Sequence, residues 1–563
     1  MKMWKRKISA LLSVLLLASL LASCGDGRTG SGQDLSEEEA METLDALLTK
    51  VNVHEVPAEM DLGEEHAGGL AAELPEIDTY PVTAQGAGQV DVEILASTEK
   101  STKAQSGPNI DGWLVDVAEE FNAQNYTLED GRTVSVTVRA VASGTATDYI
   151  ISGKYMPDAF SPANELWASM IESRGVSLDL VERSIAGNTA GILMSERKYE
   201  EFTEAHGEVT LENVVDATLN GEILLGYTNP YVSSTGLNIL TAMLQSFDPQ
   251  NPLGEQAVSK LEDLQAMIPP VAYTTAQMRE SAIKGLLDAM VMEYQAYINQ
   301  PELKDYHFTP FGVRHDNPVY AVEGCPPEKR QALELFTEFC LEPQAQQMAE
   351  ECGFNGHSSY QGQDADFTGD QLFEAQEIWK KKKDAGQPVV AVFVTDVSGS
   401  MEGTPIAELK SSLLNASQYI NEDSYVGLIS YSDDVYLHLP IAEFSNTQRA
   451  AFNGGVKSLL ASGGTATYDA VLVALNMLMQ AKEEIPNARL MMFVLSDGEQ
   501  TEGYDFSKVA PVIRGLRVPV HTICYGTALE EMEEMSGLNE ASSTKATPED
   551  VVYNLKNIFN AQM

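Results

Sequence analysis

The sequence has few basic residues for its length: 36 lysines and arginines stand against 83 aspartates and glutamates, which gives a formal net charge of −47. A chain with this charge repels nucleic acid and the headgroups of anionic lipids. We therefore exclude both as partner surfaces. Taken alone, the excess of acidic residues indicates a solvated surface and nothing more specific.

Cysteine is also scarce, with five residues in the whole chain. Their spacing fits no zinc pattern. A disulfide among Cys325, Cys340 and Cys352 would leave one of the three over. Cys524 stands in the apolar run VPVHTICYG, which is typical of a small buried side chain.

Motifs of common enzymes are missing as well. The sequence has no H-E-x-x-H, no G-x-S-x-G and no Walker-type glycine loop, and its eight histidines give no support to a general-base constellation. Ser398 lies in VSGSM, which lacks the glycines of a nucleophile elbow and has no histidine nearby in sequence. We therefore predict that the protein is not an enzyme.

The first 23 residues have the pattern of an export signal. MKMWKRK is basic, and the apolar stretch that follows it is short for a stable transmembrane span. The four residues LASC, which end at Cys24, resemble a bacterial lipobox. The resemblance implies that residues 1–23 are a lipoprotein signal peptide and that a lipid on Cys24 anchors the protein on the extracytoplasmic face of the cell membrane. An uncleaved anchor helix or an ordinary secretory signal is the alternative.

Residues 24–88 have the composition of an acidic, disordered tether. Positions 25–88 hold 15 acidic and two basic residues with scattered glycine and proline. Such a segment has too little apolar surface to offset the entropy lost on ordering. One island, Ser36 to Lys50, has a capping-box start and helical spacing, and we predict a short isolated helix there.

Strand and helix patterns alternate in two blocks after the tether. VDVEILAST, WLVDVAEEFNAQ and VSVTVRAV open the first block, and PVVAVFVTD opens the second. This alternation predicts α/β folds with mostly parallel sheets. We place the blocks at residues 89–376 and 388–563, and interpret the lysine-rich residues 377–387 as a solvated helix end and linker.

Oxygen-bearing side chains follow the strands of the second block. One strand ends at Asp396, with Ser398 and Ser400 at alternate positions after it; another ends at Asp497; the glycine-rich SGGTATYDA presents Thr465 before a helix. Ligands of open α/β sheets bind at the carboxyl ends of strands. Two carboxylates and three hydroxyls suit a hard divalent cation, Mg²⁺ first, with Mn²⁺ or Ca²⁺ as alternatives. Because hydroxyl ligands are neutral, the ion would still attract an anionic oxygen, which favours a docking site.

This pattern of D-x-S-x-S, a later threonine and a second aspartate resembles the metal-ion-dependent adhesion site of the von Willebrand factor A (VWA) family. The five positions are filled here by Asp396, Ser398, Ser400, Thr465 and Asp497. The resemblance implies a doubly wound, mostly parallel sheet at residues 388–563. It also implies a bound cation that takes a carboxylate from a protein partner, which the sequence does not name.

The first block resembles the type 2 periplasmic solute-binding fold, for example in SGTATDYIISGKYMPDAFSPAN and GYTNPYVSSTGLNIL. The resemblance implies two lobes that close on a small polar or anionic solute. The candidate ligand-binding residues are Ser97, Thr98, Ser143, Ser161, Ser234, Thr235 and Tyr294. Each is alternatively a capping hydroxyl or a core tyrosine, and the block could have kept the fold and lost the ligand.

Two functions follow from these interpretations. The first is a cell-surface lipoprotein whose VWA domain binds a protein partner through a divalent cation. The alternative is a substrate-binding lipoprotein of an ABC-type importer, with the C-terminal domain as a later addition.

Overall fold

The computed structural model is α/β throughout. It describes residues 35–61, 69–104, 109–267, 287–498, 500–525, 529–539, 541, 543–545 and 551–563. The predicted signal peptide, residues 1–23, and the predicted lipidation site, Cys24, lie outside these ranges. Within them, no helix has both the length and the apolar character needed to span a membrane.

The first described helix, α1 (Glu37–Leu48), packs on the C-terminal domain. It begins with the predicted capping box, in which Ser36 and Glu39 each accept a backbone N–H of the other. Ala40 and Leu44 on its inner face are fully buried and belong to the core of the C-terminal domain. The helix that we predicted is therefore present, but it is not isolated.

Strand β1 (Val53–Glu55) continues this arrangement, because it pairs in parallel with Val435–Glu443 and forms one edge of the C-terminal sheet. Farther along, the Asp61 N–H donates to the Ala450 carbonyl at 2.9 Å. The prediction of a disordered tether is thus wrong for residues 36–61. The composition of the segment led to a wrong prediction because burying one narrow apolar face is enough to order α1. The core that buries this face is formed by residues much later in the chain.

Helix α2 (Gly69–Glu73) and strand β2 (Val82–Ala84) lead from the C-terminal domain to the middle region. Strand β2 pairs antiparallel with Val134–Ala140, at the edge of the first sheet of that region. Residues 69–84 are therefore also part of the folded structure. The middle region is inserted between β1 and the remaining strands of the C-terminal sheet.

Two sheets form the middle region. The first has the strand order β2-β4-β3-β5-β11-β6 and the second β10-β7-β9-β8. The strands are β3 (Val90–Ala96), β4 (Val134–Ala140), β5 (Ala159–Ser161), β6 (Leu178–Glu182), β7 (Thr189–Ser195), β8 (Leu225–Gly226), β9 (Ala289–Glu293), β10 (Tyr306–Arg314) and β11 (Val319–Val322). The helices are α3 (Thr98–Ser101), α4 (Trp113–Gln124), α5 (Ser143–Ser152), α6 (Leu166–Ser173), α7 (Glu196–His206), α8 (Leu211–Leu219), α9 (Ser234–Phe247), α10 (Glu255–Gln265), α11 (Tyr294–Ile298), α12 (Pro327–Cys340), α13 (Pro343–Glu351) and α14 (Gly369–Lys382).

Helix α14 occupies the predicted junction and is packed rather than solvated. Trp379 is fully buried, and its indole N–H donates to the Tyr227 hydroxyl at 2.7 Å. The Lys380 ammonium donates to the Tyr419 carbonyl of the C-terminal domain at 2.8 Å, and Lys383 is only 5% exposed. The prediction of a solvated lysine run therefore does not hold for Lys380 and Lys383, because the two domains close over them.

The C-terminal domain is built on one seven-stranded sheet in the order β1-β14-β13-β12-β15-β16-β17. Its neighbouring strands are parallel except for the antiparallel pair β13 and β14. The strands are β12 (Val389–Asp396), β13 (Tyr425–Tyr431), β14 (Val435–Glu443), β15 (Arg489–Ser496), β16 (Val520–Cys524) and β17 (Ser543–Lys545). The helices are α15 (Thr404–Ala416), α16 (Asn446–Ser458), α17 (Thr467–Glu484), α18 (Phe506–Leu516), α19 (Leu529–Gly537) and α20 (Val551–Gln562). The predicted mostly parallel α/β sheet is confirmed.

Strand β12 is central and buried along its whole length, as its apolar run predicts. Its alternate residues enter two different cores: Val390 and Val392 pack on one face of the sheet, and Ala391 and Phe393 on the other. Helices therefore cover both faces of the sheet around β12.

The described cysteines behave as small side chains. Cys524 is fully buried in the C-terminal core, which confirms the prediction for it. Cys325, Cys340 and Cys352 form no disulfide with one another, and Cys340 is fully buried.

Candidate metal centre and solute cleft

The five predicted metal ligands lie at the carboxyl edge of the C-terminal sheet. Strand β12 runs between β13 and β15, in a register that pairs Asp396 with Tyr431 and Thr395 with Leu495. Because all three strands end at the same level, Asp396 lies beside the Ser496–Asp497 end of β15. Parallel pairing thus brings together two aspartates that are far apart in the sequence.

Asp396 is fully buried, and hydrogen-bond donors surround its carboxylate. The Ser398 N–H donates to Oδ1 at 2.7 Å, the Ser496 hydroxyl donates to Oδ2 at 2.5 Å and the Tyr431 hydroxyl lies 3.4 Å from Oδ2. Burial raises the pKa of the Asp396 carboxyl, while the hydrogen bonds from Ser398 and Ser496 oppose that change. Asp396 is therefore a fixed group whose orientation its neighbours determine.

Ser400 connects the first segment to the third. The Ser398 and Ser400 hydroxyl oxygens are 3.0 Å apart, and the Ser400 hydroxyl donates to Asp497 Oδ1 at 2.9 Å. Four of the five predicted ligands are consequently joined in one continuous set of contacts, from Asp396 through both serines to Asp497.

Thr465 is held next to this group by the backbone of its own loop. The Gly399 N–H donates to the Gly463 carbonyl at 2.9 Å, so the loop before Thr465 touches the loop after β12. Thr465 is 4% exposed, and its N–H donates to the Thr501 hydroxyl at 2.9 Å. The structure therefore brings all three segments together, with Thr465 linked through main-chain contacts.

Sequence reasoning missed several residues that shape this edge. Ser496 and Tyr431 bond Asp396, and the Asp433 carboxylate accepts the Gly464 N–H at 2.7 Å. Gly463 has φ +84°, and a β-carbon there would lie 2.5 Å from an Asp433 oxygen. The only sequence signal for Ser496 was its position at the end of a buried strand, directly before Asp497.

The donor set fits a hard cation. The contacting side chains are carboxylates and hydroxyls, and within the described ranges no group of three or more His, Cys, Asp or Glu residues is arranged to hold a metal ion. Oxygen ligands of this kind suit Mg²⁺, which also retains several waters. Asp396, Ser398, Ser400, Thr465 and Asp497 are thus the residues that could hold the ion.

Comparison with known families agrees with this architecture. Residues 391–562 match the family described as von Willebrand factor type A domain, and residues 102–355 match bacterial extracellular solute-binding protein. The chain therefore contains a VWA domain preceded by a bacterial solute-binding domain. Both families typically consist of binding or interaction domains.

Two curated relatives each match about a quarter of this chain. Human inter-alpha-trypsin inhibitor heavy chain H3 is 32% identical over 157 residues, which cover 26% of this chain and 17% of that protein. The porcine heavy chain H1 is 26% identical over 168 residues, which cover 28% and 18% respectively. This chain thus spans less than a fifth of the length of these relatives.

Three solved structures each match part of this chain. A von Willebrand factor type A protein from Catenulispora acidiphila covers 31% of this chain and 42% of its own, with 18% identity and a TM-score of 0.28. Iron-bound HitA from Pseudomonas aeruginosa covers 53% and 99%, with 15% identity and a TM-score of 0.37. The sulfate-binding protein SubI from Mycobacterium tuberculosis covers 47% and 86%, with 16% identity and a TM-score of 0.34.

The solute-binding domain has a small pocket of about 40 Å³ that we call the cleft pocket. Its lining consists of Glu99, Ala142, Ser143, Val232, Ser233, Ser234 and Glu293. Two of the seven predicted residues, Ser143 and Ser234, are among them, and the Ser234 hydroxyl donates to Ser143 Oγ at 3.2 Å. The structure adds two carboxylates that the sequence reasoning did not include.

The two carboxylates have different surroundings. Glu293 accepts hydrogen bonds from His315 Nδ1 at 2.7 Å, Asn188 at 3.1 Å and the predicted residue Thr235 at 3.4 Å. Glu99 Oε1, in contrast, is buried and has no hydrogen-bond partner. Burial raises the pKa of the Glu99 carboxyl, and the nearby Glu293 raises it further.

The other predicted residues do not line the cleft pocket, and the buried Ser161 hydroxyl has no hydrogen-bond partner. Ser97 accepts a hydrogen bond from the buried Lys100, whose ammonium also donates to the Ser161 carbonyl at 2.9 Å. Thr98 is exposed at the start of α3. The Tyr294 ring packs on Phe308 and His357 and does not line the cleft pocket.

Proposed function

We propose that this protein is a cell-surface lipoprotein whose VWA domain binds a protein partner through a divalent cation held by Asp396, Ser398, Ser400, Thr465 and Asp497. The observation that carries the proposal is the contact of Ser400 Oγ with both Ser398 Oγ and Asp497 Oδ1, at 3.0 and 2.9 Å. Three oxygen groups from two distant segments lie within hydrogen-bond distance at one edge of the sheet.

The charge balance supports docking over a closed structural site. Two carboxylates neutralise a divalent ion, and the three hydroxyl ligands add no further negative charge. The ion therefore remains attractive to a carboxylate from outside, and Mg²⁺ readily keeps a position that a partner's oxygen can take. Attachment through Cys24 would present this edge on the extracytoplasmic side, in keeping with the preceding solute-binding domain.

Thr465→Ala tests the ligand that comes from the middle segment of the motif. We expect the variant to bind Mg²⁺ roughly ten- to a hundredfold more weakly than wild type, because a lost group in or around a metal shell has effects of that size. Isothermal titration of the full chain with Mg²⁺ measures it. The control is Thr447→Ala, an exposed threonine on α16. If Thr465→Ala bound Mg²⁺ with unchanged affinity, Thr465 would not be a ligand of the ion.

A partner-binding experiment tests the function itself. Wild-type protein should retain an envelope protein in Mg²⁺ and release it in EDTA, and Asp396→Ala should retain none. If Asp396→Ala captured the same protein in the presence of EDTA, the cation would have no part in binding.

Solute capture for an importer is the second candidate, and one observation favours it: the cleft pocket contains a buried, unpartnered Glu99 Oε1 beside a second carboxylate, Glu293. A donor, above all a positively charged one, satisfies such an acceptor oxygen, whereas an anion that carries only acceptors leaves it unsatisfied. We therefore propose a small solute with a protonated amine, which narrows the polar or anionic solute that the sequence predicts.

Glu99→Gln tests this choice of solute. We expect a panel of methylamine, ethanolamine and putrescine to include a compound that raises the melting temperature of wild type, and Glu99→Gln to lose most of that rise. Glu302→Gln, a change of an exposed glutamate in the same domain, should keep it. Stabilisation by sulfate or molybdate instead of amines would contradict the proposal.

A further inference from the structure

A larger cavity, of about 190 Å³, lies between the two domains, and we call it the junction cavity. The solute-binding domain contributes Trp167 and Tyr231, helix α14 contributes Phe373 and Lys380, and the VWA domain contributes Tyr419 and Asn557. It is separate from the cleft pocket and from the candidate metal centre, since it shares no lining residue with either.

The buried polar atoms without partners on its wall are donors. Asn557 is 3% exposed, and its Nδ2 has no hydrogen-bond partner. The Tyr231 hydroxyl is likewise buried and has no partner, and burial raises the pKa of this phenol well above its usual value, which keeps its proton in place. Leaving such buried groups unsatisfied is costly, so they point to a ligand with acceptor atoms.

The cavity also offers a positive charge that is only partly matched. The Lys380 ammonium donates to the Tyr419 carbonyl at 2.8 Å, which uses one of its three protons, and burial lowers its pKa to about 8. The second lysine of the wall, Lys556, lies 3.3 Å from Asp148 and 3.7 Å from Glu73, so carboxylates already match its charge. Glu377 on the same wall partly opposes the lowering of the Lys380 pKa, but its carboxylate lies 4.0 Å from the neighbouring Lys381. Lys380 is therefore the cation of this wall that a bound anion would neutralise.

The rest of the wall combines aromatic side chains with the polar residues Thr147, Gln376, Glu377 and Asn560, and the size of the cavity sets a limit on the ligand. Trp167, Tyr231, Phe373 and Tyr419 line the cavity together with Met170. A protein cavity of about 150 Å³ with apolar walls accommodates benzene. The junction cavity accordingly has room for one six-membered ring with a small substituent.

We propose that the junction cavity is a binding site for a small aromatic carboxylate, with its ring against Trp167 and Phe373 and its carboxylate near Lys380 and Asn557. Such a ligand would touch both domains at once. Since it would bind only when the domains are apposed, its binding would stabilise their arrangement.

Calorimetric titration and thermal unfolding of the full chain with benzoate test this proposal. Benzyl alcohol serves as the neutral probe of similar size and benzylamine as the probe of opposite charge. We expect benzoate to bind at millimolar or lower concentration and to raise the melting temperature, and the other two probes to bind more weakly.

Lys380→Met keeps the apolar stem and removes the charge, and we expect it to weaken benzoate binding at least about tenfold. Lys381→Met is the matched control, because the next residue of the same helix has a side chain that is 71% exposed. Asn557→Leu should also weaken benzoate binding, although leucine fills the space of the asparagine side chain. These variants leave the metal ligands intact, so Mg²⁺ binding should be unchanged in all three.

Three results would overturn the proposal. Failure of all three probes to bind wild type at millimolar concentration would show that the junction cavity is not a binding site for ligands of this size. Equal or tighter binding of benzylamine or benzyl alcohol would show that the cavity does not select carboxylates. Persistence of benzoate binding in Lys380→Met, with loss in Lys381→Met, would place the ligand elsewhere. None of these outcomes bears on the cation site, which Asp396 variants test independently.

Discussion

Mg²⁺ is expected to raise the free energy of unfolding of the wild-type VWA domain and to leave that of Asp396→Asn unchanged. A ligand that binds only the folded state stabilises it by about 2.7 kcal/mol at a hundred times its Kd. Asparagine preserves the shape of Asp396 but removes the charge that a divalent cation requires. Chemical denaturation of the full chain with Mg²⁺ and with EDTA measures the difference.

The behaviour in EDTA separates loss of the metal from loss of the fold. Asp396 is fully buried, and a buried carboxylate without its cation is costly. Its neighbours Ser496 and Tyr431 carry hydroxyls that can accept from an amide as well as donate to a carboxylate. In EDTA, Asp396→Asn should therefore be at least as stable as wild type.

Glu483→Gln is the control for this experiment. It removes the same charge from an exposed position near the end of α17. At 1.5 Å per helical residue, this position is about 24 Å along the helix from Thr467, which begins it next to the metal edge. Glu483→Gln should keep the full response to Mg²⁺, and a full response in Asp396→Asn would refute the proposed cation site.

Leu44→Ala is expected to destabilise the VWA domain by about 2–5 kcal/mol, although Leu44 lies in a segment whose composition indicates a tether. Leu44 is fully buried in the core that also contains Val390 and Val392 of β12. Truncating it leaves a cavity under α1. Denaturation of the full chain, followed by a probe of the VWA domain, measures the loss.

The matched control is Leu460→Ala, because Leu460 is 79% exposed in the same domain. A surface substitution of this kind changes stability by no more than about 0.5 kcal/mol. If residues 36–61 were a solvated tether, the two leucine variants would behave alike. Equal stability of both variants would therefore contradict the packing of α1.

Much of the candidate metal site could be predicted because its candidate ligands lie in short sequence segments. Asp396, Ser398 and Ser400 share one loop after a strand, and the apolar runs before Asp396 and Asp497 identify two buried parallel strands. Parallel strands end at the same edge, so adjacency of the two aspartates followed from the pattern. Ser496 and Tyr431 were missed because a serine or tyrosine at a strand end has no distinctive spacing.

The lining of the cleft pocket was predicted less well for a physical reason. Hydroxyls at helix starts are common caps, so Ser143 and Ser234 could be selected but Thr98 and Tyr294 could not be rejected. Glu99 and Glu293 could not be distinguished from the other acidic residues of a chain that has 83 of them. Only the folded chain shows that these two carboxylates line the same pocket.

The sequence by itself determined the two α/β blocks, the buried strands of the C-terminal sheet and the capping box of α1, because each depends on residues that are close together in the chain. Tertiary structure alone decided that α1 and β1 pack on the C-terminal domain, that part of the lysine run is buried, and that a cavity lies between the two domains. These features depend on surfaces brought together from distant segments, and the free energy of burying a short apolar face comes from a partner that local sequence does not contain.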